Sequence, residues 1–312
     1  PENTGSEEAS YVFGGRKGKK WSTPITMDNP PGDLAVSHGV FLENKGTLWS
    51  FMGAFYRVME ENHMRAYRWD DQNKTWVNEG VVARDGFWPL QEPRQMENGE
   101  WIIGGASVGK STVPAVAICR DGDFTNWEVI RIATPVKVWG ESTVIVNGAD
   151  VLLISRSANN TPKFKGHPHP LAWVAFSKDY GRTWTELQPS NMPMAASKPY
   201  SGTLSTGQRY LIGSSTSNSG NSRRPLTIAL SRPGETTFSK LYCIRHSVYD
   251  GPGESNPDVG LSYPYAVEYN GKLWVVYSNT GGGQGRVGKG RSLWNNNSAE
   301  LAIIPVSELQ MD

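Results

Sequence analysis

An aromatic residue beside a polar turn returns along the whole chain at a near-constant interval. Trp21, Trp76, Trp127, Trp184 and Phe238 lie 51–57 residues apart. A fixed period of that size marks an array or a propeller, in which each repeat is one supersecondary unit that cannot bury its apolar face alone. The fullest copy is "SKDYGRTWTELQPS" (177–190), where Ser177, Asp179, Gly181 and Trp184 are spaced S-x-D-x-G-x-x-W. "FGGRKGKKWS" repeats the spacing with Gly18 and Trp21, and "RWDDQNKTW" aligns Asp71 and Trp76, with Asn73 at the glycine position. "CRDGDFTNW" is one residue looser, and "LSRPGETTF" keeps Ser231 with Phe238 in the Trp place. Boxes at every turn cannot all be sites. The box therefore reads as scaffolding, with Gly allowing the turn and Asp binding backbone amides.

Within each period the pattern is four short β-like runs separated by Gly, Asn, Pro and Ser turns, as in "ESTVIVN", "DVLLISRS", "LAWVAFSKD" and "WTELQPS". With 34 Gly, 20 Pro and 12 Trp, the composition agrees with an all-β chain. The expectation is one β-propeller domain over residues 1–312, built from four-stranded antiparallel blades. Five blades are expected, the last inner pair (262–278) closing onto an N-terminal hairpin at 10–28. "SAELAIIPV" (298–306) does not fit that count, and six blades are the alternative.

The inner strands are expected to begin near His38, Glu92, Glu141, Tyr200 and Tyr263. Strands entering a core would open on Val, Ile or Thr, so five polar starts point to a shared polar pocket. Arg94, Lys198 and Tyr265 stand beside those starts, and Arg156 ends the run after Glu141. The next loops are basic, with His63, Lys110, His167, Arg223 and Arg224 among them. In a chain of net charge +1, that clustering suits an anionic ligand. Nothing in the charge balance points to nucleic acid, and no apolar run approaches the ~20 residues of a membrane helix. Glu92 and Glu141 suit glycoside hydrolysis as an acid with a nucleophile or base, and Arg94 and Arg156 can grip a carboxylate as planar forks. "GGASVGKS" (104–111) matches a phosphate loop, but a strand follows it where that motif needs a helix, so it reads as a hairpin loop.

The box and its spacing resemble the Asp-box, or sialidase-like, β-propeller family, over nearly the whole chain. "ESTVIVNGADVLLISR" is similar to a sialidase segment in which a Glu opens a strand and an Arg ends the next. The resemblance implies that Glu141 activates a tyrosine nucleophile, Tyr263 or Tyr265, and that Arg156 holds the substrate carboxylate. The chain departs from the family where an Arg-Ile-Pro motif opens the first inner strand, since "SHGVFLENKGTLWSF" carries His38, and where the acid Asp is replaced by His63. A histidine pair with a pocket tyrosine also resembles propeller rhamnosidases and uronate lyases.

The leading expectation is thus a secreted or periplasmic exo-acting glycoside hydrolase of the sialidase-like superfamily. Its catalytic candidates are Glu92, Glu141, His38, His63 and Tyr263, and Arg94, Arg156, Lys198, Tyr200, Tyr265 and His167 are expected to bind substrate. The alternatives are a lyase in which His and Tyr act on a uronate glycan and a non-catalytic lectin propeller. A lectin would repeat the same residues in every blade, and these starts all differ. The expected partner is an oligo- or polysaccharide carrying acidic sugars and the expected state a monomer. No cofactor and no catalytic metal is expected, with room left for a structural calcium.

Overall fold

In the computed structural model, residues 9–11, 25–30, 32–158, 170–215, 222–251, 255–280 and 298–311 are described. They form 22 strands and one short 3-10 turn, Val306–Leu309. The alternation of apolar and turn residues therefore resolves into β structure.

Five consecutive sheets follow the repeat. Blade I holds β3 (Leu34–Asn44), β4 (Thr47–Tyr56), β5 (Glu60–Asp70) and β6 (Thr75–Ala83). Blade II holds β7 (Phe87–Pro89), β8 (Arg94–Gln95), β9 (Trp101–Ser107), β10 (Val113–Cys119) and β11 (Glu128–Arg131). Blade III holds β12 (Val138–Asn147), β13 (Asp150–Ser157), β14 (Leu171–Ser177) and β15 (Gln188–Pro193). Blade IV holds β16 (Tyr200–Thr203), β17 (Arg209–Gly213), β18 (Leu226–Ser231) and β19 (Phe238–Arg245). Blade V holds β20 (Leu261–Tyr269), β21 (Lys272–Asn279) and β22 (Ser298–Pro305). Neighbouring strands pair antiparallel in sequence order, giving a five-bladed β-propeller of up-and-down blades.

Blade V corrects one expectation. The strand beside β21 is residues 298–305, in register from Lys272↔Pro305 to Asn279↔Ser298. The misfit strand is thus the third strand of the fifth blade rather than the start of a sixth. The N-terminal residues form their own two-stranded sheet, β1 (Ala9–Tyr11) with β2 (Ile25–Asp28). The first anchor, Trp21, lies outside the described residues.

The chain divides into two compact units. One holds residues 1–133 with 146–151 and 177–185, and the other holds 134–145, 152–176 and 186–312. In the first, the boxes form the packing between repeats. Asp179 accepts hydrogen bonds from the amides of Arg182 (3.1 Å) and Thr183 (2.8 Å) and from the Thr183 hydroxyl (2.6 Å). Trp184 closes the turn by donating its indole N–H to the Gly181 carbonyl at 2.7 Å. Gly181 sits at φ 81°, and an added Cβ there would lie 2.9 Å from the Ile102 Cδ1. The looser box has the same parts. Asp123 accepts from the Thr125 amide and hydroxyl, and Trp127 donates to the Phe124 carbonyl at 3.0 Å. Phe124, at φ 63°, takes the place of the glycine and packs on Trp49, Phe51 and Trp101. In the second box the turn carboxylate is Asp70 rather than Asp71, since Asp70 receives the amides of Gln72 (2.9 Å) and Asn73 (3.0 Å). The phosphate-loop look-alike is the β9–β10 hairpin, as its flanking strand predicted.

In the second unit the inner strands of blades III, IV and V are laced by side chains. The Ser201 amide donates to Thr143 Oγ1 (3.1 Å), and the Ser201 hydroxyl donates to the Val144 carbonyl (3.1 Å). The Tyr200 hydroxyl donates to the Ala266 carbonyl (2.9 Å). These bonds set β16 between β12 and β20, with its first residues beside the middle of each.

Candidate active site

Four of the five candidates at inner-strand starts coincide with an irregularity of the backbone; Tyr200, on β16, stands in a regular ladder. In blade I the register shifts between Val36 and Gly39, around His38. The inner strand of blade II is broken: β7 and β8 each pair with β9, and Leu90–Pro93 lies between them, carrying Glu92. Gly140 lies at φ 76° just before Glu141. In blade V the register shifts between Ser262 and Tyr265, and Tyr263 takes φ 54°. Bulges and breaks re-aim side chains out of the ladder, and they concentrate beside active sites. Inner strands I and II thus begin at Leu34 and Phe87, upstream of the expected His38 and Glu92. The polar residues mark the irregularities rather than the strand ends.

In the first unit, His38 is engaged through both ring nitrogens. Nδ1 accepts from the Trp88 indole N–H at 3.1 Å, and Nε2–H donates to the Pro89 carbonyl at 3.2 Å. Those partners define the Nε2–H tautomer and leave neither nitrogen to move a proton. Glu92 forms an ion pair with Arg94. His63 was expected in a loop and lies instead in β5, at 7% exposure. Its Nδ1–H donates to the Glu61 carbonyl (2.8 Å), and its Nε2 is buried with no hydrogen-bond partner. Burial pushes the His63 pKa below the ordinary histidine value, outweighing the Glu61 carbonyl that raises it, and Arg65 and Arg84 push it the same way as burial.

The second unit gathers a denser set. Arg156, 6% exposed at the end of β13, pairs with Glu141 on β12 and lies over the Trp139 ring, 5.2 Å from its centroid. Its Nε–H is buried and has no hydrogen-bond partner among the described residues. Trp139 is 49% exposed. At the head of blade V, Tyr263 is 42% exposed and the Arg223 guanidinium lies 5.3 Å from its ring centroid. Arg223 also donates to the Ala196 carbonyl at 3.3 Å.

Lys198 and Tyr200 are buried rather than presented to a ligand, and both hold blade V. Lys198 Nζ donates to the Pro264 carbonyl (3.1 Å) and lies 4.2 Å from the centroid of the Tyr265 ring. The Tyr200 and Tyr265 rings meet at 4.9 Å. Together they clamp the backbone on the C-terminal side of the Tyr263 bulge. Of the two tyrosines expected as nucleophile, only Tyr263 is presented to solvent. His167 lies outside the described residues. Trp139 escaped the reading of polar starts because it is apolar, although its place two residues before Glu141 on an inner strand was a signal. A cavity of about 790 Å³ opens elsewhere, between the outer strands of blades III and IV, lined by Leu152, Val174, Met192, Phe238 and Leu241, and includes none of these candidates.

Residues 9–275 match the family described as BNR repeat-like domain. The chain belongs to that family. No curated protein matches this BNR repeat-like chain. Among solved structures, it is similar to the NanB sialidase of Streptococcus pneumoniae (TM-score 0.66, 10% identity, 99% of this chain and 65% of that one). It is also similar to an α-L-arabinanase of Penicillium chrysogenum solved with arabinobiose (TM-score 0.54, 13% identity, 88% and 94%). A Dyadobacter fermentans protein of unknown function matches with TM-score 0.60 at 16% identity, over 95% and 83%. At these identities the likeness shows the fold alone: the BNR repeat-like propeller is sialidase-like in architecture. Among the described residues no helix is long and apolar enough to cross a membrane.

Proposed function

We propose that this protein is an exo-acting glycoside hydrolase that removes a terminal acidic sugar from a glycan, working as a monomer outside the cytoplasm. Tyr263 is the nucleophile, Glu141 accepts the phenol proton, and Arg156 and Arg223 hold anionic groups of the substrate. A tyrosine nucleophile is an established variant of retaining glycoside hydrolysis. Attack by Tyr263 Oη on the anomeric carbon breaks the glycosidic C–O bond, and the aglycone oxygen takes a proton from solvent. In the second step water attacks the anomeric carbon, Glu141 returns the phenol proton to Tyr263 and the water's proton goes back to solvent. One water is consumed overall. The reaction needs no cofactor.

The observation that carries this reading is the exposed Tyr263, held in the left-handed region beneath a guanidinium. Bulky residues avoid that region, and whereas Phe124 adopts it packed inside a turn box, Tyr263 adopts it with its ring exposed at a bulge of an inner strand. The buried Glu141–Arg156 pair on an inner strand of the same unit supports it. The lyase reading is less well served. It needs a histidine to take the C5 proton, yet both His38 nitrogens are occupied and His63 is buried in β5.

Variant kinetics on a panel of sialylated and uronate-terminated oligosaccharides test the proposal. Tyr263→Phe and Glu141→Gln are expected to lose at least ~100-fold in kcat/KM, the low end of what a positioned proton-transfer group supplies. Asp179→Ala is expected to keep its activity when folded. Full activity in both site variants would remove the hydrolase assignment, and Glu92→Gln decides whether that carboxyl takes part.

A further inference from the structure

We infer that Trp139 forms a sugar-binding subsite, its open indole face stacking on the apolar face of a sugar ring beside Glu141. The inference deepens the hydrolase reading and rests on it for the identity of the ligand as a glycan.

Trp139 is placed unlike the other tryptophans described in the repeat turns. Trp76 and Trp127 are buried at 6% and 4% exposure, each packed among aromatic neighbours. Trp139 belongs to no buried cluster, and its one ring contact among the described residues is Arg156. A large apolar ring left half in water on an inner strand costs stability unless something covers it. The cover has a defined side. Arg156 occupies one face, which leaves the other for a ligand.

The arrangement also selects the ligand. Trp139 and Glu141 are two apart on β12, and Arg156 touches both, so all three share one side of the strand. A sugar ring offers apolar C–H groups on one face and hydroxyls at its rim, which matches an indole face bordered by a carboxylate and a guanidinium. The Arg156 Nε–H is a second, independent sign. Arg156 is 6% exposed, yet among the described residues this donor has no acceptor, and a buried donor left unmade is costly. A ligand oxygen arriving over Trp139 would satisfy it.

The test is binding to a glycan array printed with sialylated, uronate-terminated and neutral oligosaccharides, using the wild type, Trp139→Ala, Trp139→Phe and Tyr263→Phe. Unchanged far-UV circular dichroism and melting confirm that the variants are folded. Trp139→Ala is expected to lose at least ~10-fold in retention on the acidic spots, within the range measured for removing one stacking aromatic from a binding groove. Trp139→Phe keeps most of it, because the flat face remains. Tyr263→Phe binds as the wild type does while losing turnover. Retention by Trp139→Ala equal to the wild type, or no retention of any spot by the turnover-deficient Tyr263→Phe protein, overturns the subsite. Turnover surviving in Tyr263→Phe while Trp139→Ala still loses binding would instead sink the catalytic reading and leave the subsite standing.

Discussion

Tyr263 and His63 show how far single residues are pushed from their ordinary states. Tyr263 is held at φ 54° with its ring exposed, a conformation costing on the order of 1–3 kcal/mol, and Lys198 and Tyr200 clamp the strand just beyond it. His63 is the opposite case, a ring kept neutral by burial. Its folded pKa is depressed, so below the unfolded value of 6.5 the unfolded chain binds the proton more readily. The His63 contribution is therefore fully present above pH 6.5 and lost as pH falls. Melting temperatures of the wild type and His63→Gln should converge between pH 7.5 and pH 5, with the wild type losing more. Parallel curves would contradict the burial account. Asp179 acts in a lower window. Hydrogen bonds from the Thr183 hydroxyl and amide hold its pKa down to about 2, below the ordinary 3.8. That contribution is present above pH 3.8 and disappears only as pH approaches 2, so Asp179→Asn should change acid stability there and leave the His63 window untouched.

At the scale of elements, the boxes and blade V show which interactions hold the repeat. Phe124 occupies a left-handed position that suits glycine, so Phe124→Gly would relieve strain worth about 1–2 kcal/mol. The same change empties a ring packed against Trp49, Phe51, Trp101 and Trp127, a loss of about 3–5 kcal/mol. Packing wins, and urea unfolding should find Phe124→Gly destabilised by roughly 1–4 kcal/mol. A stabilised variant would mean that strain dominates. Blade V depends on Glu300. It accepts hydrogen bonds from Arg245 (3.2 Å), Tyr277 (2.8 Å) and Asn279 (2.8 Å), and so ties β22 to β21 and to the end of β19. Arg245 and Glu300 side chains are 4% and 11% exposed, so Glu300→Ala leaves a buried guanidinium uncompensated. The expected loss is about 3–5 kcal/mol. Glu60→Ala, breaking the exposed Arg57–Glu60 pair, should cost less than about 1 kcal/mol. Equal losses from the two variants would contradict this ranking.

For the whole molecule, the fold was legible because the repeat is carried by local chemistry. Trp76, Trp127 and Trp184 each close a turn or a seam a few residues long, and such features survive in a single sequence. The place of residues 298–305 was not legible, because strand pairing across a long loop leaves no local signal. The site was legible in part. Glu141 and Arg156 stand out as the start of one run and the end of the next, and they do pair; Tyr263 stands out near the head of an inner strand and lies at the bulge of β20. The burial of Lys198 and Tyr200 was not legible, since the residues that hold them, Pro264 and Ala266, lie 66 positions away in sequence. His63 reads as a loop residue in the sequence because the turn before β5 is placed too late there. Trp139 was hidden by its apolar character, since residue type alone does not set an exposed aromatic apart from a buried one. Four of the five inner strands are irregular, and the residues at those irregularities all differ, whereas a lectin propeller would repeat them. The measurement that tests this account most directly is mass spectrometry of the products released from the panel of acidic glycans. Hydrolysis predicts a released sugar heavier by one water, formed by the wild type and absent with Tyr263→Phe. A product carrying a new double bond and no added water, or retention of the glycan with no product at all, would contradict it.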